Sequence, residues 1–100
     1  MEDLYLAKGI NVSSRIINNV AYIYLEDRND LISLNETGSE VWRLVNGKRR
    51  TSDIVDHIIK CYDAEPCEVR DIIYSFILDL IGKGALKTSS VPFEGVMAYG

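Results

Sequence analysis

One hundred residues, 47% hydrophobic and 26% charged, describe a single small domain with room for one modest core and none for a second domain. A formal charge of −4 provides no overall basic field to attract phosphates, which argues against nucleic acid as a partner. The most apolar run, IIYSFILDLIG, is interrupted by Ser75 and Asp79 and is too short to span a bilayer, while the acidic start MEDLYLAKGI lacks the charge and apolar stretch of an export signal.

The first predicted element is a strand from Ile10 to about Asn18, rich in β-branched residues and ending in Asn18-Asn19, a pair that tolerates positive φ and suits a tight hairpin. In VAYIYLE, residues 20–26, Ala21, Ile23 and Leu25 alternate with Val20, Tyr22, Tyr24 and Glu26, so the second strand has one apolar face and one tyrosine-rich face. DRND, residues 27–30, is a turn cluster, and Leu31 to Leu34 form a shorter third strand. These segments predict a three-stranded antiparallel meander with the third strand at an edge.

A first helix follows with almost no loop. Asn35 or Thr37 can cap it, and Thr37 with Glu40 has capping-box spacing. Val41, Trp42, Leu44 and Val45 give it an inward stripe, and Asn46-Gly47 stops it. The second helix starts at Thr51 or Ser52, places Ile54, Val55, Ile58, Ile59 and Tyr62 on one face, and carries Asp53 near its positive end. Pro66 suits the first position of a third helix that runs to about Lys83, with Gly84 as its stop. Ala85 to Thr88 reads as a short extended segment, and residues 89–100 as a loosely held tail after a domain spanning 1–88. Strands followed by three short helices point to an α+β, winged-helix-like domain.

The third helix carries more apolar surface than one core needs. At 100° per residue, its apolar positions from Val69 to Ile81 cover an arc of about 240°, leaving Asp71, Ser75 and Asp79 as a narrow polar stripe. Such a helix either sits centrally in the fold or lends one face to a partner.

Catalytic material is sparse. His57 is the single histidine, and no nucleophile elbow, phosphate-binding glycine loop or zinc-protease motif occurs. His57 and Cys61 lie one helical turn apart, with Cys61 expected to lean toward the buried side and behave as a small hydrophobe. His57, Cys61 and Cys67 match no standard zinc spacing, so neither a metal nor any other cofactor is expected. Asp27 and Asp30 read as turn formers, and Lys48, Arg49 and Arg50 as a solvated basic turn. Two cysteines fit a reducing cytoplasm better than a disulfide scaffold.

The stretch from YLEDRNDLISLNETGSEVWRLVNG through DIVDHIIKCYDAEP to IIYSFILDLIGKGAL, within residues 8–87, resembles the PqqD family. These are the peptide-binding chaperones of pyrroloquinoline quinone biosynthesis, and the same module recurs as the precursor-recognition element of ribosomally made, modified peptides, lasso peptides included. The resemblance rests on Leu34-Asn35-Glu36-Thr37-Gly38, Val41-Trp42, Asn46-Gly47, Ile54-Val55 and Tyr62-Asp63. It implies a non-catalytic adaptor that binds the leader region of a precursor peptide as an added strand along its third strand. The peptide then passes to a modifying enzyme, such as a radical-SAM enzyme or a leader peptidase. Carried onto this chain, the implied peptide-binding positions are Asp30, Leu31, Ile32, Ser33 and Leu34 on the strand and Ile73, Phe76, Ile77 and Leu80 on the third helix. Which apolar face of that helix meets the peptide stays open at this level.

The alternative is a winged-helix DNA-binding regulator using Arg49, Arg50 and the third helix. A recognition helix exposes Arg, Lys, Asn or Gln, whereas this one offers Asp71, Ser75 and Asp79. The tail, with Phe93, Met97 and Tyr99, has no counterpart in the resemblance and leaves open an intramolecular plug or an enzyme contact.

Overall fold

The computed structural model describes residues 3–62 and 65–93. A short N-terminal strand, β1 (Tyr5–Lys8), precedes the meander β2 (Val12–Ile17), β3 (Val20–Leu25) and β4 (Asp30–Ser33). Asn18 and Asn19 both take positive φ, 51° and 66°, so the two-residue turn twists with the strands it joins. Between β3 and β4 a single helical turn, Glu26–Arg28, ends on left-handed Asn29. The sheet order is β2-β3-β4, antiparallel throughout, with β4 at an edge.

Helix α1 (Glu36–Leu44) starts on Asn35, whose side chain accepts the Gly38 N–H at 2.8 Å. Of the two caps the sequence allows, Asn35 is the one used; Glu40 turns instead toward Arg43 and His57, and no Thr37–Glu40 box forms. Asn35→Ala is expected to cost about 1 kcal/mol, read as a melting temperature lower by several degrees. Ser39 ties the helix to the sheet: its hydroxyl accepts from the Ala21 N–H at 2.8 Å and donates to the Leu34 carbonyl at 3.2 Å, standing in for a missing ladder bond. Trp42, 1% exposed, donates its indole N–H to Ser14 Oγ at 3.1 Å, and the Lys8 ammonium lies 5.1 Å from its ring. Desolvation lowers the Lys8 pKa from its ordinary value.

Helices α2 (Thr51–Tyr62) and α3 (Pro66–Gly82) complete the core, which gathers Leu6, Ile23, Val41, Ile54, Ile58 and Ile77 from every layer. Among the described residues no helix is long and apolar enough to cross a membrane. Left-handed Gly84 (φ 83°) turns the chain out of α3 into β5 (Leu86–Ser89), which pairs antiparallel with β1 from Tyr5↔Ser89 to Lys8↔Leu86.

This second sheet adds to the predicted plan. The N-terminal segment, read from sequence only for its lack of a signal, is a strand, and the expected tail boundary at residue 89 falls on the last residue of β5. Beyond it, Phe93 still donates its N–H to the Gly47 carbonyl at 2.9 Å and lies 5.3 Å from the Lys87 ammonium. The domain therefore holds the chain at least that far; Met97 and Tyr99 lie outside the described residues.

Candidate functional site

The edge strand has a definite hydrogen-bonding parity. A two-residue hairpin closes on a bonded pair, Ile17 and Val20, and bonded and non-bonded pairs then alternate. Tyr22 and Tyr24 therefore bond toward β2, and Ala21, Ile23 and Leu25 toward β4. The Leu34 N–H donating to the Ala21 carbonyl at 2.9 Å agrees with that parity. With Ile23 paired to Ile32 and Leu25 to Asp30, those two residues spend their backbone groups inside the sheet. Leu31 and Ser33 direct theirs outward, and among the described residues no strand lies beside them.

Side chains on β4 split by the same register. Ile32 lies on the inner face opposite Ile23 and packs against the core. Leu31, 65% exposed, lies on the outer face opposite Tyr24. The Tyr24 hydroxyl donates to the Asn29 side chain, which fixes the ring beside Leu31. Ser13, Arg15, Tyr22, Tyr24 and Leu31 bound a shallow depression of about 240 Å³ there.

On the inner side, the start of α1 meets α3. Asn35, Thr37, Gly38, Ile72, Ile73 and Phe76 line a small cleft of about 70 Å³. Gly38 favours this close approach, because a Cβ there would sit 3.0 Å from Phe76 Cζ and push the ring back by a few tenths of an ångström. Past the other end of α3, its C-cap residue Lys83 borders a separate hollow with Val12, Leu25, Asp27, Arg28 and Lys87.

The nine positions implied for peptide contact separate into two groups. Asp30, Leu31, Ile32 and Ser33 form the open strand, Phe76 borders the cleft, and Ile73 touches the cleft from within the core, 2% exposed. Leu34, Ile77 and Leu80 are 7%, 0% and 1% exposed and belong to the core, where they support the cleft without opening onto it. Ile72, 65% exposed on the cleft wall, was missed. It stands one turn before Phe76 on the same helical face, a signal present in the sequence once either residue is placed.

The other candidate clusters do not assemble a reacting centre. His57 Nε2 lies 3.2 Å from Glu40 Oε2 and 3.3 Å from Cys61 Sγ, so one nitrogen faces both groups. A base relay needs its two partners on opposite ring nitrogens. Cys61 is exposed, against the expectation that it leans inward, because the last turn of α2 projects past the core and leaves Tyr62 exposed as well. Partial desolvation, then the nearby Glu36 and Glu40, raises the Tyr62 pKa although the side chain is exposed. Among the described residues no group of three or more His, Cys, Asp or Glu is placed to hold a metal ion. Arg49 donates to the Leu44 carbonyl at 2.9 Å and Arg50 stacks over Tyr5, so two of the three clustered cations serve the local fold.

Comparison with protein families matches residues 22–86 to the family of coenzyme PQQ synthesis protein D (PqqD), nearly two thirds of the chain. The chain belongs to the PqqD family. The PqqD match begins in β3 and ends at the first residue of β5, so it contains β4, the cleft and all three helices. No curated protein matches the chain. Among solved structures, TbiB1 in complex with the TbiA(beta) leader peptide superposes with a TM-score of 0.75 at 23% identity, over 81% of this chain and 94% of that one. The likeness is one of fold: an α+β domain with a three-stranded antiparallel sheet and three helices.

Proposed function

We propose that this PqqD-family chain is a non-catalytic adaptor that takes the leader region of a ribosomally made precursor peptide as a fourth strand along β4 and delivers it to a modifying enzyme. One observation carries the reading: the strand whose Leu31 and Ser33 backbone groups face outward runs directly into Asn35, which lines an apolar cleft walled by Ile72 and Phe76. An extended peptide satisfies both at once, its main chain completing the sheet and alternate side chains filling the cleft. Family membership and the leader peptide carried by TbiB1 support the same reading.

The interface is small, a few residues of strand and one cleft, so the complex is of moderate affinity and exchanges readily. That suits delivery: the peptide must leave for an enzyme of the radical-SAM or leader-peptidase class, in the cytoplasm where precursors are made. The domain needs no metal or cofactor for this task. Helix α3 exposes Asp71, Ser75 and Asp79, a poor surface for DNA.

Isothermal titration with the leader encoded beside this gene tests the reading. Ile72→Glu is expected to weaken binding by about tenfold or more, since the carboxylate must be desolvated in the cleft. Ile72 is exposed, so the melting temperature is expected to hold. Absence of binding to any neighbouring precursor overturns the proposal.

A further inference from the structure

Strand addition, on which this inference rests, assigns every peptide residue to one of the two faces of the sheet. Natural edge strands carry charges or proline outward to prevent unwanted pairing. Here the outward residue at the middle of β4 is Leu31, 65% exposed, next to a tyrosine held in place by its hydrogen bond to Asn29. At the start of the strand the inward-facing residue is Asp30, exposed and outside every ion pair formed among the described residues.

We infer that the bound peptide is read on both faces of the sheet and carries two adjacent apolar residues followed by Lys or Arg. In an antiparallel fourth strand the peptide meets Ser33, Ile32, Leu31 and Asp30 in that order, from its N- to its C-terminal side. The residue opposite Ile32 points to the inner face, toward the cleft of Ile72 and Phe76, and is apolar. The next, opposite Leu31, points to the outer face and packs on Leu31 and the Tyr24 ring, so it too is apolar. The third returns to the inner face opposite the exposed, unpaired carboxylate of Asp30, so it is a cation. Cross-strand pairs of opposite charge and of apolar side chains are the unit by which sheets select their neighbours. Leu31 and Asp30 are therefore specificity-determining residues, while the outward backbone of Leu31 and Ser33 provides sequence-independent affinity.

A display library of random dodecapeptides, selected on the full chain and on its Asp30→Lys, Leu31→Ser and Ser33→Pro variants, tests this. Both Asp30 and Leu31 are exposed, and a thermal melt of each variant confirms its fold. The wild-type pool is expected to be enriched in two apolar residues followed by Lys or Arg. Asp30→Lys is expected to exchange that cation for Asp or Glu, and Leu31→Ser to lose the second apolar residue while keeping the first. Measured by fluorescence anisotropy on one enriched peptide, Lys→Glu in the peptide is expected to weaken binding about tenfold to wild type, with recovery on Asp30→Lys. No enriched pattern, or the same third residue in the wild-type and Asp30→Lys pools, overturns the inference. If that pool is nonetheless lost on Ser33→Pro, strand addition stands without it; a pool that survives Ser33→Pro overturns both.

Discussion

A Ser33→Pro variant is expected to bind the leader peptide at least about tenfold more weakly than wild type while melting within a few degrees of it. The reason is parity along β4. The Ser33 N–H points out of the sheet, so proline there removes a donor that the fold does not use and that an added strand does. The ring also stands where the incoming backbone must approach, and the preceding Ile32 is already extended, as a residue before proline prefers to be. Ile32→Pro is the contrasting control. Its N–H belongs to the pair with Ile23, so the change breaks a bond inside the sheet and strands a buried carbonyl, at a cost of about 1–3 kcal/mol before any steric clash. Circular dichroism melts separate the two variants, and titration calorimetry on Ser33→Pro reads the peptide. Unchanged affinity in that variant means the peptide does not run along this edge.

The meander and the three helices were legible because each rests on local chemistry: the Asn18-Asn19 turn, the alternation of Val20 to Leu25, the cap at Asn35, and Pro66 and Gly84 bracketing the last helix. The β1–β5 sheet was not. Tyr5–Lys8 is four residues without clear alternation, and its partner lies at the far end of the chain, a pairing that no window of sequence contains. The open edge of β4 followed from strand order alone, but which face of α3 stays open did not. An apolar arc of about 240° has no preferred phase, and the phase is set by packing: Ile73, Ile77 and Leu80 fill the core, and the side-chain-free Gly38 lets Phe76 close on α1. Cys61 was expected to lean toward the buried side of α2 yet is exposed, because a stripe gives direction around a helix and not how far along it the core extends.

Trp42→Ala is expected to cost about 3–5 kcal/mol, the largest loss from any single side chain here and a large share of the 5–15 kcal/mol that holds a typical domain together. Trp42 is the largest of the fully buried side chains, and it is the bolt between α1 and the sheet: its ring lies in the core, its N–H reaches Ser14 on β2, and Lys8 of β1 lies over its face. Truncation leaves a cavity and removes the surface on which Lys8 rests, while the exposed Ser14 hydroxyl turns to water. Trp42→Phe keeps most of the volume and loses the N–H, so its cost is expected to be less than half as large. Because Trp42 is the only tryptophan, its fluorescence reports the docking of α1 in wild type, while urea unfolding followed by circular dichroism compares the variants. The consequence reaches the site. Helix α1 begins at the Asn35 cap and carries Gly38 against Phe76, so a loosened α1 opens the cleft. Peptide affinity in Trp42→Ala is then expected to fall even at temperatures where the domain remains folded, whereas in Trp42→Phe it stays near wild type.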